Sequence, residues 1–186
     1  MKIVTTDFPG LVIIEPSVFK DSRGYFFESY NLKDFLGNNI VFNPVQDNES
    51  SSQKGVIRGL HYQLNPMAQA KLIRVIRGSI LDVAVDLRKG SPTYGLWKSV
   101  ELNSEEKRQL FIPRGFAHGF SVISDDAIIL YKCDNLYSPG HERGILYNDP
   151  DLGIDWEVDH AGSVISDKDR HNPLFKDAQM NFRFDP

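Results

Sequence analysis

The chain has 186 residues, 41% apolar and 25% charged, the size and make-up of one globular domain with a sizeable core. A net charge of −4, with no basic run longer than two residues, argues against a general nucleic-acid surface. The lone cysteine, Cys133, excludes an internal disulfide framework and a cysteine-rich zinc site. No apolar run approaches the length of a membrane span, and the N-terminus lacks the residue order of a signal peptide. The expectation is a cytoplasmic protein with no nucleic-acid or membrane partner. A small anionic ligand stays open, because a few arginines can make a local positive site on an acidic protein.

Residues 3–20 hold two apolar runs broken by Pro9-Gly10 and Pro16, which reads as strand, turn, strand. Asp21 to Gly24 is turn chemistry, and Tyr25, Phe26 and Phe27 after it predict a β-favouring piece of core. Asn31 to Leu36 predicts a helix of one or two turns ended by Gly37. Val45 to Gly55 is polar with three consecutive serines and reads as a loop, with Gln46 and Asn48 spaced to point the same way.

The stretch GVIRGLHYQ (Gly55 to Gln63) reads as a strand. Strict alternation puts Val56, Arg58, Leu60 and Tyr62 on one face, and Ile57, Gly59, His61 and Gln63 on the other. Gly59 leaves a gap where a ligand or another backbone can come close. Lys71 to Pro92 reads as a strand pair turning at Arg77-Gly78-Ser79. Leu81, Val83, Val85 and Leu87 there alternate with Asp82, Ala84 and Asp86, so the two aspartates are expected at solvent or a polar edge.

Trp97 to Leu102 predicts another strand, and the SEEKRQ segment after it one helical turn. IPRGFAHGF (Ile112 to Phe120) then places a second histidine after a turn. Ala127 to Tyr137 is an apolar strand carrying Tyr131, with Tyr137 six residues on. From Ser138 the chain is polar and loop-rich. No repeat, low-complexity tract or linker divides it, so 1–186 reads as a single domain. Short strands with turns roughly every 8–12 residues predict an all-β sandwich or barrel.

His61 is the best candidate general base, since histidine ordinarily titrates near neutrality. It needs a carboxylate to hold its tautomer, and ISDKD (Ile165 to Asp169) offers Asp167 and Asp169. A buried tyrosine hydroxyl at Tyr131 must find a partner and can give a proton to a carbanion. Lys71, Arg23 and Arg58 suit a phosphate or an oxyanion. Each also has a plainer reading: a core histidine, a packed tyrosine, solvated cations. No H-x-H pair accompanies His61. His118 adds one nitrogen, and His141, His160 and His171 fall in the tail, so no metal site is expected.

DSRGYFFE, Gln46-Asp47-Asn48, GVIRGLHYQ, AKLIRVIRG, GSPTYG, PRGFAHGF, LYKC followed by Tyr137, and SDKD occur in this order. From about Lys2 to about Leu174 the ordered set resembles the dTDP-4-dehydrorhamnose 3,5-epimerase family of the cupin superfamily. The resemblance implies a cupin-type jelly-roll barrel with a few short helices, a homodimer, and no metal or cofactor. It implies inversion of carbons 3 and 5 of a dTDP-linked 4-keto-6-deoxyhexose on the way to dTDP-L-rhamnose for cell-surface polysaccharide. His61 would then be the base, Asp169 its support, Lys71 the enolate's cation and Tyr131 the acid on the opposite face. Arg23, Phe26, Glu28, Gln46, Asp47, Asn48, Arg58, Lys71, His118, Glu142 and Lys168 would surround the ligand, with Tyr137 stacked on the thymine. The Arg23 to Glu28 segment would reach into the neighbouring subunit's site. Relatives that act at one carbon keep the same base and lysine, so the resemblance fixes the chemistry class more firmly than the product.

Overall fold

Alternating apolar side chains and turn residues divide most of the chain into short strands. The computed structural model describes residues 1–159 and 162–185. Its first elements are β1 (Lys2–Thr5), β2 (Val12–Glu15), β3 (Phe19–Asp21), β4 (Gly24–Phe26), α1 (Leu32–Gly37), β5 (Gln46–Gln53) and β6 (Ile57–Gln63). Then come β7 (Lys71–Arg77), β8 (Ser79–Asp86), β9 (Trp97–Asn103), β10 (Gln109–Ile112), β11 (Phe116–Val122), β12 (Asp126–Cys133), β13 (Glu142–Gly144) and α2 (Asp167–Arg170).

Two antiparallel sheets carry the fold, in strand orders β1-β2-β10-β7-β12-β5 and β13-β6-β11-β8-β9, while β3 and β4 form a separate arm. Between the sheets lies an apolar interior built from both, with Ile73, Val75, Leu110 and Ile129 from one side and Ile80, Ala84, Leu102, Phe116 and Phe120 from the other. This is the cupin-type jelly roll expected from the resemblance.

Each sheet is also covered on its outside. Ile145, Tyr147, Ile154, Trp156 and Phe182 from the C-terminal segment pack on Leu81, Val83 and Val85. Phe35 of α1, with Ile40 and Phe42, packs on Val12, Ile14, Leu72 and Phe111. Asn31 caps α1 by accepting from the Lys33 N–H, and Phe35 is wholly buried.

Several expectations change. β7 and β8 are not a hairpin: β7 pairs with β10 and β12, and β8 with β9 and β11, so Gly78 carries the chain from one sheet to the other. Asp82 and Asp86 are fully buried, because both faces of β8 are covered and neither meets solvent. Asp86 is satisfied there by Arg88, Ser91 and Thr93.

The polar stretch read as a loop is β5, paired along its length with β12. Its inward side chains are polar because they face a cavity and not the core. The SEEKRQ segment makes a turn, with Asn103 Oδ1 accepting from the Glu105 and Glu106 N–H groups, and no helix. The β4 aromatics do not join the core of this chain: Tyr25 is 57% and Phe26 66% exposed.

Gly59 is where β6 meets β11 most closely. Its φ is +120°, and a Cβ built on it would lie 2.6 Å from the Cα of Gly119. The gap read in the sequence is filled by backbone. Gly59→Ala is expected to lower stability by about 2 kcal/mol or more, from the left-handed φ and the overlap together. Urea unfolding measures it, and an unchanged midpoint would refute the close approach.

Candidate active site

β6 and β11 lose register between His118 and Phe120, with one extra residue on β6 around Gly59: His61 faces His118, and Arg58 faces Phe120. Such a bulge turns the strand by one residue. Ile57, Leu60 and Tyr62 therefore all pack into the outer cluster, while Arg58 and His61 both line the cavity. Strict alternation had put those two on opposite faces; the bulge reverses it.

Two cavities meet at this point. One of about 430 Å³ is lined by Ser50, Arg58, His61, Lys71, His118, Tyr131, Lys168 and Asp169, among others. A second of about 230 Å³ is lined by Gln46, Asn48, Gln63, Tyr137 and Glu142, and shares His61, Lys71 and Tyr131 with the first. His61 comes from the five-stranded sheet, Lys71 and Tyr131 from the six-stranded one. The three groups thus sit at the junction, on facing walls.

His61 Nε2 lies 2.6 Å from Asp169 Oδ1, and the other carboxylate oxygen accepts the Gly59 N–H at 3.2 Å. α2 delivers this aspartate, with Ser166 Oγ accepting the Asp169 N–H as the helix cap. Burial pushes the Asp169 carboxyl up, but the bonds from His61 and the Gly59 N–H outweigh it and hold it below the usual carboxylate value. Of the two aspartates offered by the sequence, Asp169 is the one that meets His61.

Lys71 is depressed below the ordinary lysine value by burial, with the nearby Cys133, Asp82 and Glu142 opposing the shift. Its side chain is half-buried at the cavity wall, where its protonated form suits a developing oxyanion. Burial, reinforced by Cys133, pushes the Tyr131 phenol up, so it keeps its proton at neutral pH. His118 Nε2 lies 2.6 Å from Asp82 Oδ1, a second histidine–carboxylate pair behind the larger cavity.

Around the smaller cavity, Gln46 Oε1 accepts the Tyr137 N–H and Gln63 Oε1 the Ser138 N–H, which fixes the loop carrying Tyr137. The Tyr137 hydroxyl donates to Glu142 Oε2 at 2.7 Å, and Lys168 pairs with the same carboxylate. Burial raises the Glu142 carboxyl, and Lys168 and Tyr137 bring it below its usual value.

Four of the expected ligand residues line neither cavity of their own chain, three of them on the segment expected to reach a neighbouring subunit's site. Asp47 points to the opposite face of β5 from Gln46 and Asn48 and pairs with Lys132 at 2.9 Å, as strand alternation requires. Arg23, Phe26 and Glu28 lie on or just after the β3–β4 arm and line neither cavity; Arg23 pairs with Asp21, and Glu28 accepts from Asn31. His141 and His171 bond to Ser138 and to the Asp167 carbonyl, and His160 lies outside the described residues. Among the described residues no three His, Cys, Asp or Glu side chains group as a metal site would need.

Sequence reasoning missed Ser50, Ser52, Gln63 and the buried Asp82. The serines had a signal in the period of two along QDNESSSQ, hidden by its loop-like composition.

The chain matches the family model for dTDP-4-dehydrorhamnose 3,5-epimerase over residues 5–177. It is 52% identical over 181 residues to the dTDP-4-dehydrorhamnose 3,5-epimerase of Shigella flexneri, covering 96% of this chain and 98% of that one. The enzyme of the same name from Methanothermobacter thermautotrophicus is also 52% identical, over 94% of this chain and 97% of its own. The crystal structure of dTDP-6-deoxy-D-glucose-3,5-epimerase from Legionella pneumophila in complex with dTDP-4-keto-L-rhamnose superposes with a TM-score of 0.94. It is 45% identical and covers 100% of this chain and 99% of that one.

The folded Asp169 value lies below the unfolded one, so its charge stabilises the fold fully above the unfolded value near ~3.9 and ceases to as pH falls through the folded value. Asp169→Asn is expected to cost about 1–3 kcal/mol at neutral pH. Urea unfolding of both proteins should show the gap closing as the solution is acidified through that window. A gap independent of pH would show that the Asp169 charge does not act.

Proposed function

The chain belongs to the dTDP-4-dehydrorhamnose 3,5-epimerase family, and we propose that it inverts carbons 3 and 5 of dTDP-4-dehydro-6-deoxy-D-glucose. The product is dTDP-4-dehydro-L-rhamnose, for dTDP-L-rhamnose synthesis. The observation that carries this reading is the placement of His61 and Tyr131 on facing sheets with Lys71 at the same junction. A hexose held between them turns one ring face to each.

Both reacting carbons flank the ketone, so loss of either proton forms an enolate. With Asp169 accepting from His61 Nε2–H, Nδ1 carries the free electron pair and takes the proton from carbon. The carbon–hydrogen electron pair moves into the ring and charge collects on the carbon-4 oxygen, which Lys71 stabilises. Tyr131 gives its proton to the opposite face, and the resulting phenolate and imidazolium are reset by proton exchange with solvent. Only protons move, so the reaction requires no redox cofactor.

We assign Arg58 and His118 to the diphosphate, and Gln46, Asn48, Glu142, Lys168 and Tyr137 to the nucleoside, which their positions around the two cavities support. We assign Arg23, Phe26 and Glu28 to the site of a second copy in a homodimer. Their exposed aromatic arm, paired as a sheet only with itself, supports this. Residues 1–186 act as one unit in this reading, because both sheets contribute to the cavity, and the reaction is placed in the cytoplasm. No helix among the described residues is long and apolar enough to cross a membrane.

Proton NMR of the keto-sugar nucleotide in deuterium oxide tests the reaction. The expected result is loss of both the carbon-3 and carbon-5 proton signals; loss of one would make the protein a single-carbon epimerase, and dTDP binding without loss a binding module. His61→Ala should slow exchange at both carbons by roughly 10²–10⁴-fold. Tyr131→Phe should retain exchange and lose inversion, and normal inversion would remove Tyr131 from the role of acid. For the shared site, mixing inactive Arg23→Ala and His61→Ala chains should restore activity. No recovery on mixing would place the arm outside the neighbour's site.

A further inference from the structure

Four side chains of β5 face inward, and three of them are committed. Gln46 donates to Asn48 Oδ1 and accepts the Tyr137 N–H. Asn48 donates to Cys133 Sγ, and Ser52 Oγ accepts from Arg58 Nε. Ser50 is different. Its hydroxyl oxygen is buried and has no hydrogen-bond partner, and the residue lines the larger cavity together with His61, Lys71 and Tyr131.

Ser50 is paired with Ile129 of β12, and the next inward pair along the same two strands is Asn48 with Tyr131. The free hydroxyl is therefore a strand neighbour of the proposed acid. A buried hydroxyl without a partner works against folding, and alanine would fill the same place in the strand without that penalty. Nothing in the packing of the chain itself calls for this oxygen.

Resting on the proposed substrate, we propose that Ser50 hydrogen-bonds the carbon-2 hydroxyl of the sugar and is a specificity-determining residue of the site. A 4-keto-6-deoxyhexose joined to phosphate through carbon 1 has free hydroxyls at carbons 2 and 3 only. The carbon-3 hydroxyl changes direction when its carbon is inverted. The carbon-2 hydroxyl is carried by a centre that the reaction leaves alone, so it is the fixed handle by which the ring stays in place through both inversions. A serine hydroxyl both donates and accepts, and so matches another hydroxyl in either sense.

Calorimetric titration tests this with three ligands: dTDP, dTDP-glucose and dTDP-2-deoxyglucose. The parent should bind dTDP-glucose about 3- to 10-fold more tightly than the 2-deoxy compound, the range of one net hydrogen bond. In Ser50→Ala that preference should vanish while dTDP binds as before, and thermal stability should hold or rise, since no protein bond is lost. Equal weakening toward all three ligands would place the hydroxyl on the diphosphate and overturn the assignment. An undiminished preference in Ser50→Ala would overturn it as well, while leaving the substrate reading intact. A parent that binds dTDP but gains nothing from the sugar would remove the substrate reading, and the Ser50 assignment with it.

Discussion

Gly59 and Gly119 approach each other with room for a side chain on neither: a Cβ on Gly119 would lie 2.8 Å from the Arg58 carbonyl oxygen, and one on Gly59 still closer to Gly119. The extra residue that β6 carries at this point brings Arg58 and His61 to the same wall. The same glycine gives its N–H to Asp169, and Asp169 holds His61. One tight crossing of two strands thus sets the direction of the arginine, the direction of the histidine and the seat of the carboxylate. A side chain at either glycine would push the strands apart and disturb all three, whatever its polarity.

The charged groups near the barrel interior follow a second constraint. Buried carboxylates are tolerated where donors surround them, and Asp86 and Asp169 each have several. Asp82 is less well served. His118 takes one oxygen, and the other has no partner. With Cys133 and Glu142, Asp82 opposes the fall that burial imposes on Lys71. The interior therefore holds an aspartate oxygen short of a donor near the lysine that lines the cavity.

Strand positions were legible in the sequence wherever apolar residues alternate, as in β8 and β12, and the Asn31 cap announced α1. Local pattern misled where the partner lies far along the chain. Asp82 and Asp86 read as facing solvent or a polar edge because nothing near them shows that Leu81, Val83 and Val85 are covered by Ile145, Ile154 and Trp156, which leaves the aspartates on the inner face beside Ala84. QDNESSSQ read as a loop because its inner face meets a polar cavity, so the usual sign of burial, an apolar residue at every second position, is absent. The pairing of His61 with a residue 108 positions away followed from the ordered motif set and from no spacing rule. Arg58 and His61 were misassigned because a one-residue bulge leaves no mark in composition. The glycine that marks it was legible only as a place where something comes close.

The division of the site between two sheets gives the proposed chemistry its geometry. Inversion needs a proton taken from one ring face and returned to the other, and the two groups must not be able to reach the same face. In the proposed reaction His61 on one wall and Tyr131 on the other meet that need, because the packed interior holds the sheets apart, with Ile73 and Ile129 of one sheet in a single cluster with Ala84 and Phe120 of the other. Burial also acts on the two groups of the six-stranded wall. It keeps the Tyr131 phenol protonated and draws Lys71 below its ordinary value, a fall that Cys133, Asp82 and Glu142 oppose. The same packing that stabilises the barrel therefore holds apart the two side chains to which the proposed reaction assigns base and acid.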